Sequence, residues 1–207
     1  MQDHTEILKR LAEHYPDAKP ALWFRSPFEL LIATILSAQT TDKQVNAVTG
    51  TLFERYPDAA ALAAADVEDV EAIIKSCGFY HTKARNIQAA AAALVEKHGG
   101  QVPRTMEELT ELPGVGRKTA NVVMSNAFGI PAIAVDTHVQ RVSNRLGLAH
   151  SNDVFKTEQQ LMENIPKEQW SIAHHWLIYH GRRVCAAQRP KCDTCFLADL
   201  CPWGKER

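Results

Sequence analysis

Apolar residues recur along this chain at spacings of three and four, the period of a helix with one buried face. Asp66–Ser76, Thr82–His98, Arg117–Phe128, Thr137–Leu146, Asp153–Asn164 and Lys167–Gly181 all follow it. Nowhere does a convincing alternation of period two appear, so the fold class expected is all-α. Asp3-x-x-Glu6, Ser26-x-x-Glu29 and Thr105-x-x-Glu108 each have the form of a capping box ahead of an apolar-periodic run. Pro27 then falls at a first helical position, where its missing N–H costs nothing. Gly78 and the pair Gly99–Gly100 are placed as C-terminal stops. Ala59–Ala65 and Ala89–Ala93 are runs of a strong helix former. Gly129-Ile130-Pro131 is the strongest interruption after the Gly99–Pro103 turn, and the chain from Cys185 onward reads as a separate loop.

Composition narrows the class. The 207 residues are 45% hydrophobic and 23% charged, which excludes disordered and fibrous chains and allows one large or two small domains. The longest apolar stretches, Ala59–Ala65 and Ala89–Val95, are too short to span a bilayer. No basic start followed by an apolar core opens the chain, so a cytoplasmic protein without a membrane partner is expected. The net charge of −1 argues against a protein that coats nucleic acid indiscriminately. The charge is uneven, at −3 over residues 1–100 and +2 over residues 101–207.

Cysteine usage is more informative. Cys185, Cys192, Cys195 and Cys201 are spaced C-x6-C-x2-C-x5-C close to the C-terminus. In a cytosolic chain such a cluster points to metal rather than disulfides. Four thiolates at this spacing suit zinc or an iron–sulfur cube, and spacing alone does not choose between them. Cys77, beside Gly78, reads as a small apolar filler.

Leu112-Pro113-Gly114-Val115-Gly116-Arg117-Lys118-Thr119-Ala120 lies between two helical runs. Glycines either side of Val115 permit a tight hairpin whose N–H groups, with the next helix N-terminus, suit phosphate without reading sequence. Arg117 and Lys118 then place two cations against the helix dipole, at about 0.3–1 kcal/mol each when exposed. Two such costs together point to function. A lysine amine is nucleophilic only when neutral, and a helix N-terminus, a neighbouring cation and partial burial all favour the neutral form. The other reading of Lys118 is a phosphate contact. Asp136, 18 residues on, closes the apolar run Ile130–Val135 and opens a helix. That is an N-cap position, and a rigid cap can also stabilise positive charge or move a proton. His138 reads as structural.

LPGVGRKTANVV resembles the helix-hairpin-helix of the base-excision DNA glycosylases, and GIPAIAVDTH resembles the loop and aspartate that follow it. With LLIATILSAQTTD at Leu30–Asp42 and the four-cysteine tail, the chain resembles the endonuclease III branch of that superfamily over nearly its whole length. The resemblance implies a two-lobed helical DNA glycosylase fold. Its first lobe is a six-helix barrel over 20–130, containing the hairpin. Its second joins 1–19 to 131–207 and ends in the cluster loop, 185–201.

The resemblance also implies chemistry. Lys118 matches the lysine that attacks C1′ of a damaged nucleotide, displaces the base and forms a Schiff base, after which β-elimination nicks the strand. Asp136 matches the aspartate that stabilises the oxocarbenium-like charge or assists proton transfer. Cys185, Cys192, Cys195 and Cys201 match ligands of a structural [4Fe–4S] cluster. Gly114, Val115, Gly116 and Arg117 would meet the DNA backbone, joined by Arg182, Arg183, Arg189 and Lys191 around the cysteines. Gln39 matches a glutamine that enters the duplex as a base is flipped out. Phe79 stands where relatives commonly carry Leu, as an apolar wedge. His81 follows where an Asn is frequent, and Asp42 is either a pocket residue or part of a helix cap.

The activity implied is removal of oxidised pyrimidines followed by nicking 3′ to the abasic sugar. The partner implied is duplex DNA with damaged bases or abasic sites, bound by a monomer. Rivals are relatives acting on pyrimidine dimers or mismatched bases, a non-catalytic iron–sulfur DNA-binding module and a zinc-tailed scaffold. An adenine-mispair glycosylase is opposed by Lys118 at the hairpin.

Overall fold

The structure is a computed structural model that describes residues 4–205. Its elements are α1 (His4–His14), α2 (Pro27–Leu36), α3 (Asp42–Arg55), α4 (Ala59–Ala63), α5 (Val67–Ile74), α6 (Tyr80–His98), α7 (Met106–Thr110), α8 (Arg117–Phe128), α9 (Thr137–Leu146), α10 (Val154–Asn164), α11 (Trp170–Arg183) and α12 (Pro202–Lys205). Two short 3₁₀ turns, Lys167–Gln169 and Cys192–Thr194, complete the set, and no strand occurs among the described residues. The all-α expectation holds. No described helix is long and apolar enough to cross a membrane.

The chain divides into two compact units, one of residues 20–129 and one joining residues 1–19 to 130–207. The unit of residues 20–129 is built around α2, whose residues Phe28 to Leu36 are all buried. A helix that is apolar on every side must be surrounded, and α3, α6 and α8 all pack against it. Its one buried carboxylate, Glu29, accepts from Arg25 N–H at 2.7 Å and pairs with the Arg25 guanidinium at 3.0 Å. In the other unit α9 and α11 pack together, with α1 on α11 and α10 and α12 on α9. Ile7, Leu8, Leu11 and Tyr15 share a core there with Val139, Val142, Leu146 and Leu177. Helix α1 is thus fixed by the second half of the chain.

Local signals set most boundaries. Ser26, Thr41, Asp58, Asp66, Thr105, Asp136 and Asp153 each cap a helix through a side-chain oxygen. The Ser26 box is shifted by one residue, because Glu29 reaches back to the N–H of Arg25. At Thr105 the hydroxyl accepts from Glu108 N–H and donates to the Glu108 carboxylate at 2.8 Å. Asp3 of the first box lies outside the described residues. Gly99 ends α6 in the left-handed region, at φ 58°. Gly78 does not end a helix that way: α5 stops at Ile74, and Gly78 instead lies where the loop after α5 meets the loop before α3.

Candidate functional site

The hairpin between α7 and α8 is anchored by its apolar residues. Leu112 and Val115 are buried in the core of residues 20–129, and Val115 N–H donates to Leu112 C=O at 3.1 Å. Gly114 turns the chain at φ 76°, and a Cβ there would lie 3.1 Å from Asn86 Cβ. Both demands select glycine. Gly114→Ala is therefore expected to cost about 1–3 kcal/mol, read as a lowered thermal midpoint and weaker duplex binding.

Gly116 starts α8 and supplies no side-chain cap. A glycine at this position lets another group approach the helix N-terminus closely, and backbone N–H groups with the positive end of the helix dipole suit a phosphate. Arg117 and Lys118 stand in this first turn, both exposed. The partial burial expected of Lys118 is absent, because its position projects from α8 while Ala120 and Val123 take the core-facing side.

The loops carrying Gln39 and Phe79 come together in the same unit. Both residues are exposed and left-handed, at φ 54° and 59°. Neither is glycine, and such backbone is strained. A Cβ on Gly78 would lie only 3.7 Å from Gln39 O, and Gln44 Nε2 donates to Ser76 O across the same junction. Nearby, Thr41 caps α3 and Asp42 is its first residue, His81 is held 2.8 Å from Glu71, and Cys77 is a buried filler.

Asp136 opens α9. Its Oδ1 accepts from Val139 N–H at 2.8 Å, fixing the carboxylate. His138 is structural, its Nδ1 lying 3.1 Å from Arg141 Nη2.

Cys185, Cys192, Cys195 and Cys201 line one cavity of about 310 Å³ beside His180 and Trp203. Four soft thiolate donors on one cavity are the ligand set that an iron–sulfur cube requires. The donor set fits a polynuclear iron–sulfur group. Burial holds the Cys195 and Cys201 thiols above their ordinary range, a desolvation cost that metal charge would offset.

Three residues around this loop carry no sign of their role in the sequence. Arg145 of α9 donates to Ala186 O at 2.8 Å, approaches Cys185 Sγ at 3.4 Å and stacks over Trp203. Arg141, one turn earlier, donates to Gly181 O and Cys185 O, both at 3.1 Å. His180 lies 3.7 Å from Cys195 Sγ through Nε2 and 2.9 Å from Tyr15 Oη through Nδ1. Burial pushes His180 down to about 4, so the ring is neutral and links Tyr15 to Cys195 through its two nitrogens. Of the cations expected to meet DNA around this loop, Arg182, Arg183, Arg189 and Lys191 are all exposed. Arg183 also pairs with Asp17 at 3.2 Å and stacks on Tyr179.

A glycine hairpin with an exposed lysine directly after it, and a four-thiol cavity in the same helical chain, point to a DNA-repair protein with an iron–sulfur centre. Residues 32–167 match the model of the HhH-GPD superfamily base excision DNA repair protein, and residues 185–201 match the iron–sulfur binding domain of endonuclease III. Endonuclease III of Synechocystis is 54% identical over 97% of this chain and 92% of its own length. That of Bacillus subtilis is 50% identical over 97% and 92%. A solved structure of a trapped endonuclease III–DNA covalent intermediate superposes with a TM-score of 0.94 at 53% identity, over 100% of this chain and 99% of that one. This chain belongs to the endonuclease III family, DNA glycosylases and abasic-site lyases of base-excision repair with a [4Fe–4S] cofactor.

Proposed function

We propose that Lys118 is the nucleophile with which this chain excises oxidised pyrimidines from duplex DNA and nicks the abasic strand, acting as a monomer in the cytoplasm. The observation that carries the reading is the exposed amine in the first turn of α8, directly after a glycine hairpin. Phosphate held on the hairpin N–H groups would bring the deoxyribose to the amine. The neutral Nζ forms a bond to C1′ as the C1′–N bond breaks, and the base leaves with that electron pair and takes up a proton. Nitrogen loses its extra proton and the sugar ring opens to a Schiff base. Removal of a C2′ proton then expels the 3′ phosphate and completes β-elimination.

Asp136 stabilises positive charge developing at C1′, with Oδ1 held by the cap and Oδ2 left for this task. Asn caps helices as well as Asp, so Asp136→Asn is expected to leave the melting midpoint nearly unchanged. Loss of the charge is expected to lower single-turnover excision by about 10²–10³-fold.

Gln39 and Phe79 enter the duplex when the damaged nucleotide is turned out, and their exposed, strained loops support that role. Cys185, Cys192, Cys195 and Cys201 would hold the [4Fe–4S] cluster as thiolates. The cluster serves as a staple for the C-terminal loop, alongside Arg182, Arg183, Arg189 and Lys191 as phosphate contacts. Excision on a panel of duplexes carrying an oxidised pyrimidine, a pyrimidine dimer or a mismatched T tests the lesion class. The oxidised pyrimidine is expected to be released fastest, and preference for either of the others would overturn that assignment.

A further inference from the structure

Lys83 is a buried lysine that the reaction above does not use. It lies in α6 at 5% exposure, one turn after Phe79, where a cation opposes the helix dipole. Burial lowers its pKa, with the Cys77 thiol opposing the shift. Lysine is almost never buried without a partner, and here the partner lies on another loop. Nζ donates to Thr40 Oγ1 at 2.6 Å. The Thr40 hydroxyl donates in turn to Ala38 O at 3.5 Å, so the two residues flanking Gln39 are joined through one hydroxyl. The backbone N–H of Lys83 donates to Phe79 O at 2.9 Å. One residue therefore reaches the strained loop of Gln39 with its side chain and the strained residue Phe79 with its main chain.

We propose that Lys83 is a positioning residue that locks the Gln39 and Phe79 loops into one preset wedge for turning a nucleotide out of duplex DNA. The inference rests on the reading that Gln39 and Phe79 enter the duplex. A preset wedge meets the cost of left-handed backbone during folding rather than at the moment of base extrusion. Lys83 touches neither reacting atom, so its effect falls on extrusion and not on the later covalent step.

The test uses the cluster-loaded full-length protein with Lys83→Met, which keeps length and volume but cannot donate. Thr40→Val removes only the receiving hydroxyl, and Thr40→Ser restores it. Four quantities are measured: single-turnover excision from a paired duplex, borohydride trapping on abasic duplex, fluorescence of 2-aminopurine opposite the lesion, and thermal midpoint. Lys83→Met and Thr40→Val are expected to slow excision and the fluorescence rise by about 10- to 100-fold, the scale of a small misplacement. Trapping and midpoint should be unchanged, and Thr40→Ser should regain wild-type excision. Wild-type excision by Lys83→Met, with Phe79→Ala and Gln39→Ala impaired, would overturn the role of Lys83 alone. Equal loss of excision and trapping together with a fallen midpoint would make Lys83 merely structural and overturn it too. Wild-type fluorescence and excision in both Phe79→Ala and Gln39→Ala would overturn the wedge reading beneath it.

Discussion

Lys118→Gln is expected to lose base release and strand nicking together, with single-turnover rates down by at least about four orders of magnitude. Glutamine keeps much of the side-chain length and a hydrogen-bonding end, but its amide nitrogen cannot form a Schiff base. The backbone that receives phosphate remains, because Leu112 and Val115 anchor the hairpin in the core and Gly114 and Gly116 shape it without help from position 118. Affinity for a duplex carrying an abasic-site analogue should therefore stay within about tenfold, the change reflecting one lost cation and its share of counterion release. Normal excision by Lys118→Gln would remove Lys118 from the chemistry, and a large loss of affinity would make it a phosphate contact instead.

The second large effect concerns the cysteine loop. Cys192→Ser is expected to yield a protein that lacks the broad absorption at about 400 nm of iron–sulfur thiolate ligation and melts at least about 10 °C lower. Between Cys185 and Cys201 the only regular element is one 3₁₀ turn, Cys192–Thr194. Protein contacts hold the loop from outside: Arg141 and Arg145 grip its start, and Arg10 donates to Phe196 O at 3.0 Å and pairs with Asp199 at 2.7 Å. Those contacts meet the rim of the loop. Its middle is a cavity of about 310 Å³. Without the group that the four thiols hold, the loop loses its internal cross-links and that space opens to water. The loop would collapse, and Leu197 and Leu146, buried against it, would lose their packing. Absorption spectra and thermal melts of the two proteins side by side measure this. A Cys192→Ser protein with full iron content and an unchanged midpoint would show that Cys192 is not a ligand.

Much of the fold could be read from residues in their local setting. The starts of α8, α9 and α10 at Arg117, Thr137 and Val154 follow from Gly116, Asp136 and Asp153, whose effects reach only three residues. The run at Lys167–Gly181 divides into a 3₁₀ turn and α11, a tightening of the first turn after Pro166. Helix α3 lacked a clear pattern because Gly50 and the polar residues between Val45, Val48 and Leu52 dilute its apolar stripe. Lys118 and the four cysteines stood out since their residue types are unusual for their positions, and Asp136 stood out by closing an apolar run 18 residues after Lys118. Lys83, Arg141, Arg145 and His180 did not. Each is a polar residue within a helix, ordinary by sequence, and each acquires its role from a loop distant in the chain: Lys83 from Thr40, Arg141 and Arg145 from residues near 185, His180 from Tyr15 and Cys195. Periodicity reports which face of a helix is buried and is silent about what lies against it.

Covalent capture tests the chemistry most directly. The wild-type protein is incubated with abasic duplex DNA and borohydride, the reduced adduct is digested with protease, and the modified peptide is located by mass. Attack by the hairpin amine predicts one cross-linked residue, Lys118, with the mass of the reduced sugar adduct. An adduct confined to the N-terminal amine or to another lysine, or no adduct under conditions where the strand is nicked, would contradict it.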